Sequence, residues 1–184
     1  MTIDTSGLSE EQKATAQFKS VYAGMMRQLN DPGYVPALCA HEAAHLIFYE
    51  MMGTIRYVPV PPKITYDANN GEFIGHLAAI QLAEEPLCEP HKWQEYVTMM
   101  SHTQVAGGVV ARKLLPGCYG GDKADKEKLR RICTEIAAHF GVPINAEMVW
   151  TRAQKEVERR LQEEPLIMEL IQQRAIELRP LLGL

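Results

Sequence analysis

The sequence predicts a mainly α-helical domain with one small antiparallel β-sheet, and three observations support that expectation. Segments with apolar residues at three- and four-residue spacing fill both ends of the 184-residue chain, most of them bracketed by helix start and stop residues. Between them, residues 54–79 change period: β-branched and aromatic residues gather around Pro59, Pro61 and Pro62, and Asn69-Asn70-Gly71 suits a tight hairpin turn. The length fits one core, and 46% hydrophobic with 23% charged residues is ordinary globular composition.

The first helix opens at the capping box Ser9-Glu10-Glu11-Gln12 and carries Phe18, Val21, Met25 and Leu29 on one face until Asp31-Pro32-Gly33 ends it. A second helix, from about Pro36 to Met52 with Gly53 as its stop, shows an apolar stripe of Leu38, His41, His45, Phe48 and Met52. The prolines that follow confine the sheet to a few short strands with one edge free. A third helix starts at Pro90, a favoured first-turn residue, and runs through Trp93, Tyr96, Met100 and Val105 to about Leu115. Gly107-Gly108 in its middle costs on the order of 1 kcal/mol each in helix propensity, so something is expected to pack closely against that backbone. After a glycine-rich turn at 117–121, a fourth helix spans about Asp122 to Phe140 and stops at Gly141. Asn145 caps a fifth through about Glu163, and Pro165 opens a sixth that ends before Pro180. Residues 1–184 are expected to form one domain, with 1–35 as a helical N-terminal extension.

Composition excludes several functions. A net charge of −4 and the lack of any basic run interleaved with aromatics give no reason to expect nucleic acid as a partner. No stretch approaches the ~18 uninterrupted apolar residues of a membrane span, and Met1–Gln12 is polar and acidic, so a cytoplasmic protein without a membrane segment is expected. Cys39, Cys88, Cys118 and Cys133 include no C-x-x-C pair and read as reduced thiols, with Cys118 in a glycine-rich loop.

Chemistry enters at His41-Glu42-Ala43-Ala44-His45. On a helix, residues four apart face the same way, so both imidazoles can bind one metal while Glu42 reaches a water held beside it. Zinc in such a site lowers the pKa of its water to roughly 7 and polarises a carbonyl, and the glutamate acts as general base. A chance match to this pattern in a chain of this composition has a probability of roughly 2%. Two histidines leave a catalytic site one ligand short. The extended form of the motif fails, because Phe48 and Met51 stand where it needs glycine and histidine, and no glutamate occurs between Glu50 and Glu72. On the fourth helix the stripe of Leu129, Ile132, Ile136 and Phe140, stepped backwards, reaches Asp125 and Asp122. Asp122 is placed to cap its own helix. Asp125 faces inward, as a metal ligand or as a partner of the helix dipole.

In the order of its parts the chain resembles the proteolytic domain of the FtsH-type, membrane-anchored AAA+ proteases, peptidase family M41. There a His-Glu-x-x-His helix leads to a short sheet, a helix with a small-residue pair and a Gly-x-x-x-Asp element. The matching parts are His41–His45, residues 54–79, Gly107-Gly108 and Gly121-Asp122-Lys123-Ala124-Asp125, and the resemblance covers nearly everything after about residue 35. It implies Asp125 as third zinc ligand and Glu72–Ala79 as a substrate-aligning edge strand, with His76 beside it. The chain departs in having Ala44 where the family usually has glycine, and in lacking the family's ATPase module and membrane helices. The expectation is therefore a stand-alone zinc metalloendopeptidase: His41, His45 and Asp125 hold Zn2+, and Glu42 is the base. Its substrates would be short or unfolded, or presented by a separate ATPase. The alternatives are a regulator-cleaving antirepressor-type protease and an inactive zinc-binding scaffold. Apolar spacing at Leu161, Leu166, Leu170 and Ile171 suits helix packing or a homo-oligomer contact.

Overall fold

Helix α2 (Tyr34–Met52) is the axis of the fold because its sequence offers almost no polar face. From Ala37 to Tyr49 every residue is buried except His45, which is half-buried, so the single buried stripe expected from the sequence extends all round the helix. The computed structural model describes residues 9–52, 56–67, 72–81, 92–117 and 122–181. In chain order the other elements are α1 (Glu10–Leu29), β1 (Arg56–Asp67), β2 (Glu72–Gln81), α3 (Trp93–Leu114), α4 (Asp122–Phe140), α5 (Ala146–Glu163) and α6 (Pro165–Leu181). The protein is thus mainly helical.

Helices α3 and α6 pack on α2, and α5 and α4 lie against α3. Phe48, Met100, Leu129, Val157 and Ile171, one from each of these five helices, are fully enclosed in the shared core. Burying each such side chain contributes roughly 1.5–3 kcal/mol. A smaller cluster, Tyr34, Leu38 and Phe73, with Met25, Leu29, Tyr66 and Leu115 against it, joins the start of α2 to the hairpin and to the end of α1. Leu38 is one turn before His41, so this cluster anchors the hairpin beside the histidines. At the other end of α2, the Arg174 guanidinium donates to Glu50 at 2.8 and 3.3 Å and ties α6 to it.

Where the sequence predicts a few short strands, the structure has one antiparallel hairpin, in which β1 continues through the prolines. Pairing is regular at Arg56–Pro59 and at Lys63–Asp67, with the register shift between them. Proline has no N–H to give a ladder, and the irregularity holds Val60, Pro61 and Pro62 out of it without ending the strand. The expected turn residues Asn69-Asn70-Gly71 lie outside the described residues. Helix α6 likewise passes the boundary expected before Pro180. A proline in the last turn removes one hydrogen bond, to the carbonyl of Ile176, a residue exposed to solvent.

Other helix boundaries agree with local chemistry. Gly141 adopts φ +63°, and the Val142 amide donates back to the Ala137 carbonyl at 3.2 Å, closing α4. Asn145 accepts from the Met148 amide at 3.1 Å and caps α5. Apart from Asp125, the charged run after Asp122 is mostly on the solvent side, and Lys126 and Arg130 both pair with Glu147 at 2.7 and 2.5 Å, holding α4 to the start of α5. At the C-terminus Leu161 and Ile171 are core residues, whereas Leu166 and Leu170 are exposed.

Replacing Asn145 by Ala is predicted to lower the unfolding free energy by about 1 kcal/mol with the fold intact. Urea denaturation followed by circular dichroism measures this, and an unchanged midpoint would show that the cap adds nothing.

Candidate metal centre

His41 and His45 lie one turn apart on α2, with their rings edge to face and centroids 4.7 Å apart. Their Nε2 atoms are 3.0 Å from each other, and Asp125 of α4 brings Oδ2 to 3.3 Å from both. Four-coordinate zinc with bonds of ~2.0–2.1 Å holds its ligand atoms about 3.4 Å apart, close to this triangle. Among the described residues this is the group of His, Cys, Asp and Glu side chains able to share a metal ion.

The protonation pattern follows from one further contact. His45 Nδ1 is 2.7 Å from the Thr103 carbonyl oxygen. A carbonyl only accepts, so Nδ1 carries the hydrogen, and in neutral imidazole the lone pair then sits on Nε2, facing His41 and Asp125. Asp125 Oδ2 is enclosed and makes no hydrogen bond. The His45 lone pair and the Asp125 carboxylate therefore face His41 Nε2 at one buried point, an arrangement that a metal cation or a proton can satisfy. Without a metal, a proton answers the need. Burial disfavours the charged His45 ring, but the Asp125 carboxylate, aided by Glu42 and the Thr103 carbonyl, raises its pKa to about 9. Burial acts to raise the Asp125 pKa, yet the facing His45 and His41 hold it well below the usual carboxylate range. The enclosed, unpaired Oδ2 and the fixed His45 tautomer suit a divalent cation, and the Thr103 carbonyl is the outer partner that metal-bound histidines usually have.

The glycine pair of α3 makes room for this convergence. A Cβ at Gly107 would lie 2.7 Å from His41 Cε1 and Nε2 and from His45 Nε2, and one at Gly108 would lie 1.5 Å from Asp122 Oδ1. The close neighbours expected from the sequence are thus the two histidine rings and an aspartate. Asp122 itself differs from expectation. It is the first residue of α4 rather than its cap, and its carboxylate is ion-paired with Arg112 of α3, with Oδ1 enclosed and without a hydrogen bond. One charge-assisted bond runs from Arg112 Nη1 to Oδ2, and Asp122 stands one residue past the cap position, in the helix itself.

Glu42 is buried at 6% exposure. It is near enough to His45 and to Lys128 to act on both electrostatically. The backbone of His76 pairs with Lys63 in the hairpin, while His91, Cys88 and Cys118 lie outside the described residues. Cys39 and Cys133 are buried free thiols whose pKa values burial pushes up. His102 is half-buried and burial lowers its pKa; His139 is exposed against Phe140. Sequence reasoning missed Thr103 and Arg112. Thr103 acts through a carbonyl, which every residue has, and nothing in the spacing of Arg112 marks it out from other surface cations.

The chain matches no protein-family model, no curated protein and no solved structure.

Gly107→Ala is predicted to destabilise the protein by roughly 1–3 kcal/mol through overpacking and to shift the imidazole NMR signals of His41 and His45. Unchanged stability and unchanged signals would show that α3 does not press on the rings.

Proposed function

We propose that this protein is a zinc-dependent metallopeptidase, related in design to the proteolytic domain of the FtsH-type proteases. The observation that carries the proposal is the convergence of His41 Nε2, His45 Nε2 and Asp125 Oδ2 within 3.3 Å, one residue from a buried Glu42. These three residues would hold zinc. Bound there, the ion would supply Lewis-acid polarisation of a peptide carbonyl and an acidified water.

The rest of the chemistry belongs to the chain. Glu42 accepts a proton from the attacking water at its carboxylate and returns it to the departing amide nitrogen. Its place on the same helical turn as His41 fixes it relative to the ligands without a mobile loop. Thr103 keeps the His45 proton on Nδ1, so that Nε2 stays available as a donor of electrons. The hairpin supplies the means to hold an extended substrate. Among the described residues β2 pairs only with β1, which leaves an outer edge whose main-chain groups suit an added strand. Peptides and unfolded segments fit such an edge, and a separate ATPase would be needed to present folded substrates.

A scaffold that only binds zinc is the second reading, and the ligand set disfavours it. Structural zinc sites are closed by four protein ligands, whereas the described residues bring three together.

Elemental analysis of chelator-free protein, paired with an unfolded-peptide cleavage assay, tests the proposal. Wild type is predicted to carry about one zinc per chain and to cut. Glu42→Gln should retain the metal and lose roughly 10²-fold or more in rate, and Asp125→Ala should lose the metal. Cleavage by Glu42→Gln at the wild-type rate, or wild type without metal, would overturn the proposal.

A further inference from the structure

Asp125 is the ligand that no local geometry places. His41 and His45 share a turn of α2, but Asp125 arrives on α4, which packs chiefly on α3 and α5. Its distance from the histidines is therefore set through α3. The first turn of α4 meets α3 at a defined point: Asp122 Oδ1 fills the space where a side chain at Gly108 would begin, and Oδ2 is ion-paired with Arg112, one turn further along α3. Asp122 and Asp125, three apart on α4, share a face. Gly107 and Gly108, adjacent on α3, divide the task, the first seating the two imidazoles and the second seating the start of α4.

Two details indicate that this contact serves more than helix stability. Asp122 is the first helical residue of α4, and its carboxylate reaches across to Arg112 of α3 in an ion pair. Its Oδ1 is enclosed without a hydrogen-bond partner, an unfavourable state for a carboxylate oxygen, so the contact is poor as a local stabiliser. It is well suited to fixing α4 against α3 in both height and rotation. The ion pair keeps this adjustable from the surface, since the Arg112 and Asp122 side chains are 31% and 30% exposed.

We propose that Arg112 and Asp122 are positioning residues of the metal centre, a latch on Gly108 that sets Asp125 at bonding distance from the ion held by His41 and His45. This rests on the metal reading given above. When the latch is intact the three ligand atoms are preorganised; when it is broken, α4 must be re-ordered each time the ion binds, and affinity falls.

Zinc affinity by competition with a chromophoric chelator tests this, using wild type, Asp122→Asn, Arg112→Met and Arg112→Lys, together with hydrogen exchange of amides 123–128 in the metal-free proteins. Asp122→Asn and Arg112→Met are expected to bind zinc about 10- to 100-fold more weakly while still unfolding cooperatively. Arg112→Lys should recover part of the loss, because an ammonium still reaches one carboxylate oxygen. Affinities within about twofold of wild type in both disrupting variants, below the usual effect of an outer-sphere change, would overturn the latch. If Arg112→Met does not fold, Asp122→Asn and Arg112→Lys decide the matter. If wild type binds no zinc, the metal reading fails by itself, and the latch is judged by exchange: faster exchange of amides 123–128 in the variants supports it, and unchanged exchange overturns it.

Discussion

Burying two imidazoles and a carboxylate against one another is costly, and the rest of the structure depends on how that cost is met. His41, His45 and Asp125 would each be more stable in water than facing one another across 3.0–3.3 Å. A cation or a proton would offset the repulsion, and the surrounding structure leaves the three side chains little freedom in how it is met. The Thr103 carbonyl fixes one tautomer, Gly107 brings helix backbone against both rings, and α2 is enclosed along its length. Each of these features is unfavourable or neutral alone. Together they form a rigid wall on which a small ion or a proton is the remaining variable.

The helical layers explain why such a wall is possible in a short chain. α2 is buried by α3 on one side and α6 on another, with the end of α1 and the turn end of the hairpin near its start. A helix so enclosed cannot rotate or slide without opening the core around Phe48, Met100 and Ile171. The histidines inherit that rigidity. Asp125 does not, because α4 stands one layer away, and its accuracy comes instead from the Gly108 contact, the Arg112 pair and the Glu147 pairs that hold α4 to α5.

Much of this was legible in the sequence wherever chemistry is written in local spacing. The two histidines four apart, the inward-facing Asp125, the Asn145 cap and the stop at Gly141 follow from residue type and helical period. The Gly107-Gly108 pair announced a close approach without revealing to what, since the partners lie 62 to 66 residues earlier, in His41 and His45, and 14 residues later, in Asp122. Asp122 illustrates the limit. Its position at a helix start predicts a cap, and only the fold shows that the helix begins at Asp122 itself, with the carboxylate paired to Arg112. The hairpin shows another, because prolines mark where ladder bonds are lost but not whether the chain resumes the same strand afterwards. Burial all round α2 was hidden because its alanines and aromatics leave the apolar stripe looking narrower than it is.

The central claim is that one ion is held by two imidazoles and one carboxylate, and X-ray absorption at the zinc K-edge of the zinc-loaded protein tests it most directly. The account predicts a nitrogen and oxygen shell at ~2.0–2.1 Å with the outer scattering of two imidazoles, falling to one in His45→Ala. A sulfur shell near 2.3 Å, as a thiolate ligand would give, or imidazole scattering unchanged in His45→Ala, would contradict it.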